Sequence, residues 1–210
     1  MQDYYAARAS EYDRIYLKPE RQVNLRHMEA WLTQVFANRS VLEIACGTGY
    51  WTQFYAPVAA AVVALDGAEE TLRIAEGRLQ GTHVRLLVGD AYELPKLDGR
   101  FDGAFAGFWW SHIPLMRVAA FLNGLHAALQ PGAKIVFIDN RFVPGSSTPI
   151  SKPDAEGNTY QHRVLEDGSI HRVLKNFPRS KELLAAVAPH AEACEYREWD
   201  YFWALEYTLR

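Results

Sequence analysis

The chain is expected to fold as an α/β protein, a doubly wound and mostly parallel sheet with helices on both faces. Three observations predict it. From about residue 40 to about residue 140, short apolar runs alternate with helical patterns, the order that builds a parallel sheet through crossover helices. The first run, Val41-Leu42-Glu43-Ile44, passes directly into Ala45-Cys46-Gly47-Thr48-Gly49, a glycine turn that opens a helix and presents backbone N–H groups to a ligand. The next two runs end in Asp66 and Asp90, at the strand edge where sheets of this kind bind their ligands.

Taken in order, the elements begin with an amphipathic helix over residues 3–16, interrupted near Pro19, and a second helix over residues 20–36. The alternating core follows. Residues 140–158 are rich in Pro, Gly and Ser and read as a loop or insertion. Residues 160–164 and 170–174 make a hairpin around Asp167-Gly168. A helix over residues 180–187, with Ser180 as its cap, precedes two terminal strands near residues 193–199 and 201–209, which close the sheet as an antiparallel pair. The expected organisation is one domain over 1–210: N-terminal helices over 1–36, a core over 37–140, an insertion with the hairpin over 141–178, and the last helix and strands over 179–210.

At 210 residues the chain can bury a substantial core, and 49% hydrophobic with 22% charged residues is the balance of a soluble globular protein. A net charge of −3, with Lys and Arg scattered, gives no reason to expect nucleic acid or an anionic membrane as partner. Two cysteines make no disulfide framework, which favours a reducing cytoplasm. Residues 1–5 lack the basic-then-apolar pattern of a secretory signal, and no apolar run approaches the roughly 20 residues that cross a bilayer.

A dinucleotide fingerprint starting at Gly47 needs a third glycine at position 52, where Thr52 stands, which argues against a nicotinamide-dependent oxidoreductase. No Lys or Arg lies between residues 41 and 56 to meet a phosphate. The segment fits an E-x-(G/A)-x-G-x-G pattern instead, with Glu43, Ala45, Gly47 and Gly49 in register. It resembles motif I of the class I S-adenosylmethionine-dependent methyltransferases. Further matches follow in that family's order: Gly89-Asp90-Ala91 after an apolar run, Phe101 to Gly107 as the fourth strand, and Leu129-Gln130-Pro131-Gly132 before the fifth. The resemblance implies a seven-stranded sheet with an antiparallel C-terminal strand and an N-terminal helical lid. It also implies S-adenosylmethionine as cofactor, with Glu43 near its ammonium group, Asp66 on the ribose and Asp90 on the adenine. Ala45, Cys46, Gly47, Gly49, Trp51, Gly67, Ala91, Tyr92 and Phe108 complete the expected cofactor set. Arg21 is a further candidate, for the cofactor carboxylate.

The chemistry of that cofactor agrees, because a sulfonium, an ammonium and a ribose diol all suit carboxylates rather than cations. On the acceptor side, His112 in Trp109-Trp110-Ser111-His112 is the best candidate for a general base, with helix capping or a backbone hydrogen bond as the alternative. Two adjacent tryptophans at a strand end cannot both point inward, so Trp109 or Trp110 is expected at the site. Tyr5, Tyr12 and Tyr16 share one helix face, for packing or for ligand contact. The region carrying Arg141, Tyr160, His162, Arg163, His171 and Arg172 is the expected source of acceptor specificity, and its His and Arg content suits a carboxylate or other anion. The hairpin can equally lie exposed, or pair with a second subunit in a homodimer. No metal site is expected. The function expected is methyl transfer to an oxygen, nitrogen or carbon of a small molecule. The alternatives are a cofactor-binding protein without catalysis, or a protein or nucleic-acid methyltransferase.

Overall fold

In the computed structural model, which describes residues 8–210, seven strands form one sheet. They are β1 (Ser40–Ile44), β2 (Ala61–Asp66), β3 (Val84–Val88), β4 (Phe101–Gly107), β5 (Leu129–Asn140), β8 (Ala191–Glu198) and β9 (Phe202–Leu209), in the order β3-β2-β1-β4-β5-β9-β8. The first five are parallel, and β9 runs antiparallel to both β5 and β8. The strand order reverses between β1 and β4. A doubly wound sheet opens a crevice at such a reversal, at the carboxyl ends of its strands.

Alternation along the central strands feeds two separate apolar layers. On one face Leu42, Ile44, Ile135 and Phe137 pack with Phe121 and Leu125 of the helix Val118–Ala127 and with Trp203 and Tyr207 of β9. On the other, Val41, Phe105 and Val136 pack with Leu25, Met28 and Leu32 of the helix Gln22–Val35 and with Tyr55. Both layers are needed because a parallel sheet exposes no face to water. Among the described residues, no helix is long and apolar enough to cross a membrane.

The second expected helix divides into a single 3-10 turn, Pro19–Arg21, and the α-helix Gln22–Val35, since proline suits the first turn of a helix but not its interior. Of the amphipathic helix expected over residues 3–16, residues 3–7 lie outside the described residues, and the described part is a 3-10 helix, Ala9–Tyr16. Strands β6 (Tyr160–Val164) and β7 (Ile170–Leu174) form a separate two-stranded hairpin, whose turn is fixed by Gly168 at φ 80° and by the Ser169 N–H donating to Asp167. The last helix, Ser180–Val187, corrects one expectation. Ser180 is its first residue, and the cap position belongs to Arg179, whose backbone N–H donates to the Glu182 carboxylate at 2.8 Å.

Candidate active site

The turn after β1 is held in left-handed backbone at three alternate positions, with φ of 55° at Ala45, 55° at Gly47 and 71° at Gly49. Glycine takes this conformation freely, and alanine takes it only where the surroundings insist. Asp66 at the end of β2 braces the turn. Its Oδ2 accepts the Gly47 N–H at 2.8 Å and its Oδ1 accepts the Ala68 N–H at 2.9 Å. Burial pushes its carboxyl up, and these backbone bonds pull the other way. Among the described residues, a side chain at Gly47 would meet only the Tyr12 ring, at 3.7 Å, so the bare backbone faces the space beneath that ring. At Gly89 a Cβ would come within 2.6 Å of Leu65, which is why the end of β3 can lie this close to β2.

These strand ends enclose a cavity of about 360 Å³, in the range of small-molecule sites. Ala45, Gly47, Asp66, Gly67, Asp90, Ala91, Tyr92, Phe108, Trp109 and His112 line it. Its one cation among the described residues, Arg117, lies 3.6 Å over the Tyr92 ring. Two carboxylates, an open glycine turn and apolar walls fit an adenosyl cofactor carrying a sulfonium, and they fit a phosphate-bearing one poorly.

Four residues of the expected cofactor set lie elsewhere. Glu43 is buried behind the turn, where its Oε2 accepts the hydroxyls of Thr52 at 2.6 Å and Tyr55 at 2.5 Å. Burial raises its carboxyl to about 7. Thr52, the residue that breaks the dinucleotide pattern, is thus a buried partner of the motif acid. Cys46, Gly49 and Trp51 are also outside the lining: Trp51 packs edge-on against Phe105 and Phe108, and Gly49 meets Ala75 and Leu79 closely enough that a Cβ would stand 3.1 Å from Leu79.

A second cavity, of about 460 Å³, adjoins the first and shares Tyr12, Phe108 and His112 with it. Phe108 is itself held at φ 59°, with its N–H donating to Ile138 at 2.7 Å. The N-terminal 3-10 helix covers this junction and is clamped to the glycine turn. Asp13 accepts the Thr48 hydroxyl at 2.6 Å and pairs with Arg78, which also donates to the Thr48 carbonyl at 2.7 Å. Tyr12 is half-buried, and desolvation of its ring drives the phenol up to about 12 and keeps it protonated.

His112 sits in a short turn after β4, with its Nδ1 2.7 Å from the Leu174 carbonyl of β7. A carbonyl only accepts, so Nδ1 carries the proton and the lone pair of the neutral ring is on Nε2. Burial, then the charges of Lys175 and Arg163, hold the imidazole well below its usual range and keep it neutral. Beneath it lies a buried pair that the sequence reading did not pick out. Lys175 Nζ donates to Asp139 Oδ1 at 3.0 Å and to Ser111 Oγ at 2.5 Å. Burial brings Lys175 down to about 8. Burial also works to raise Asp139, but Lys175 and His112 hold it below the carboxylate range. The one available signal was Asp139 itself, a carboxylate closing the apolar run Ile135 to Ile138, which must find a cation once buried.

The expected acceptor residues divide similarly. Tyr12 and Trp109 line a cavity. Tyr16 is buried in a stack on Tyr50, with centroids 3.5 Å apart. Trp110 packs into the core against Phe137 and Trp203, so of the two adjacent tryptophans only Trp109 reaches a cavity. Arg141 turns to Glu198 and to the Trp199 carbonyl. Arg21, considered for the cofactor carboxylate, lines the second cavity instead. Gln161, His162 and Arg163 of the hairpin line it as well. Tyr5 lies outside the described residues.

Comparison with known proteins agrees with this geometry. The family described as a methyltransferase domain matches residues 41–132. The demethylmenaquinone methyltransferase of Staphylococcus aureus (strain MRSA252) is 27% identical over 141 residues, covering 62% of this chain and 56% of the relative. That of Staphylococcus carnosus (strain TM300) is 30% identical over 110 residues, covering 50% and 45%. The chain thus spans roughly half to two thirds of the length of these curated relatives. Among solved structures, one described as a DhpI-SAM-HEP complex superposes with a TM-score of 0.80 at 27% identity over 98% of this chain and 94% of that one. The PH0226 protein of Pyrococcus horikoshii OT3 shares the fold, with a TM-score of 0.74 at 22% identity over 95% and 99%. The chain carries a methyltransferase domain over residues 41–132 and resembles S-adenosylmethionine-dependent methyltransferases over nearly its whole length.

Proposed function

We propose that the protein transfers a methyl group to an oxygen, nitrogen or carbon of a small molecule held in the second cavity. The observation that carries this reading is that the two cavities meet at Tyr12, Phe108 and His112. The cofactor, when bound, supplies a methyl already activated on a sulfonium. Asp66 would hold its ribose hydroxyls, Asp90 its adenine end, and the backbone from Ala45 to Gly47 its amino-acid end. What remains for the chain is to align donor and acceptor and to keep water out, and positioning of that kind is worth on the order of 7–11 kcal/mol. Tyr12 and the clamped 3-10 helix close the junction. Where the acceptor atom carries a proton, His112 Nε2 would take it, since the Leu174 carbonyl fixes the tautomer and burial keeps the ring neutral. The demethylmenaquinone methyltransferases among the relatives and the complex of DhpI with SAM and HEP both favour a small acceptor.

Calorimetric titration with S-adenosylhomocysteine, then with NADH, tests the cofactor half, and release of S-adenosylhomocysteine from S-adenosylmethionine with a panel of small acceptors tests the reaction. Micromolar binding of the first ligand alone is expected. Binding of NADH instead, or of neither ligand by folded protein, would overturn the reading.

A further inference from the structure

The cavity beyond Phe108 is lined by six Arg and Lys residues, Arg8, Arg14, Lys18, Arg21, Arg163 and Lys175, and among the described residues by no Asp or Glu. Among the described residues, Arg14 pairs with Glu166 and Lys175 with Asp139. The informative side chain is Arg21. It is 8% exposed, yet its guanidinium meets only neutral oxygens among the described residues, Asn140 Oδ1 at 3.3 Å and Ser146 Oγ at 3.1 Å. Among the described residues its Nε is buried without a hydrogen-bond partner. Glu20 beside it in sequence reaches the Ser146 hydroxyl at 3.5 Å and makes no ion pair with Arg21. Lys18 also lacks a carboxylate among the described residues and donates to the Ser146 carbonyl at 3.2 Å.

A guanidinium is charged at all ordinary pH and carries five N–H donors, so burying it with no carboxylate in direct contact is costly, and the Glu20 charge, which reaches it only across the Ser146 hydroxyl, offsets the burial in part. The Tyr201 and Phe202 rings lie 5.3 Å and 5.7 Å from its centre, an attraction too weak to offset that cost alone. A purely structural Arg21, tying the turn Pro19–Arg21 to residues 140–146, needs no charge, and glutamine would serve there. The charge fits a ligand.

Resting on the methyltransferase reading, we propose that the acceptor carries an oxyanion, of the phosphate or carboxylate kind, bound between Arg21 and Lys18. The location suits a small molecule. Arg21 lies on Phe202, and Phe202 stacks on Phe108 with centroids 5.6 Å apart, so the anion site stands one ring beyond the junction of the two cavities. The hydroxyls of Ser147 and Thr148 line the same wall. A wholly apolar acceptor would leave the Arg21 charge buried and unmatched.

The test uses the whole protein saturated with S-adenosylhomocysteine and titrates it, at constant ionic strength, with inorganic phosphate and separately with acetate. Saturable binding of at least one anion is expected, and which one binds tells phosphate chemistry from carboxylate chemistry. R21Q should weaken that binding roughly tenfold or more, while its affinity for S-adenosylhomocysteine stays that of the wild type because Arg21 lies outside the cofactor cavity. K18Q, at a half-buried turn position, should weaken it in the same direction and carries the test if R21Q does not fold. Failure of both anions to bind the loaded wild type overturns the proposal, as does unchanged anion affinity in the variants. Failure of S-adenosylhomocysteine to bind folded wild type overturns the methyltransferase reading and this proposal with it, so the two failures are distinguishable.

Discussion

Replacing Glu43 by Gln isolates the role of the motif acid. In the structure its carboxylate is 1% exposed and accepts two hydroxyls, from Thr52 and Tyr55, but faces no cation. Burial raises it from 4.5 to about 7. The sign follows from linkage. Between those values the folded state binds the proton and the unfolded state does not, so the contribution is present below about pH 4.5 and is lost as pH rises through about 7. At about 1.4 kcal/mol per unit, the loss between pH ~5 and pH ~8 is about 2.5 kcal/mol. Glutamine keeps the acceptor oxygen and has no proton to lose. Urea unfolding of both proteins at the two pH values measures the difference, and the stability gap should move by about 2.5 kcal/mol in favour of E43Q, a midpoint shift of about 1 M. Parallel pH profiles would refute the reasoning and place the carboxylate in water or beside an unseen positive charge.

Three further outcomes are expected. Asp66→Ala removes the acceptor that braces the Gly47 and Ala68 N–H groups and the expected ribose contact, and should weaken S-adenosylhomocysteine binding by roughly 1–3 kcal/mol; unchanged affinity by calorimetry would remove Asp66 from the cofactor site. His112→Ala should lower turnover of a proton-bearing acceptor by about 10²- to 10⁴-fold, and full turnover across pH would leave positioning as the whole mechanism. Lys175→Met strips a cation from beside His112, so the imidazole should titrate closer to its ordinary range and the acid limb of the rate profile should move to higher pH; the same change leaves Asp139 buried without its partner and should cost about 3–5 kcal/mol in unfolding by urea.

The cofactor half of the site was legible because its chemistry is local. A strand end fixes where Asp66 and Asp90 stand, and a positive-φ turn requires Gly47, so spacing along the chain translates directly into position. Sequence spacing does not say which way a side chain turns. Glu43 lies one strand position from the turn, yet it faces Thr52 and Tyr55 in the core, because on a strand only every second residue points to a given face. The same rule separates Trp109 from Trp110. Fold class was legible for a related reason, since alternation of strands and helices leaves few ways to wind a sheet.

The acceptor half follows a different physics. Its walls come from the N-terminal 3-10 helix, the end of β4, residues 140–148, and the hairpin, segments up to about 150 residues apart that no periodicity links. What joins them is charge. Lys175 comes from the segment after β7 and Asp139 from β5, and each is tolerable inside the protein only because the other is there. Lys175 in turn lowers the proton affinity of His112, while Arg21, brought to the same cavity by an unrelated turn, finds no such partner among the described residues. Among the cations of this cavity, Lys175 is compensated inside the fold and Arg21 has no carboxylate partner among the described residues, and the difference between the two separates a charge that serves the fold from one that awaits an acceptor.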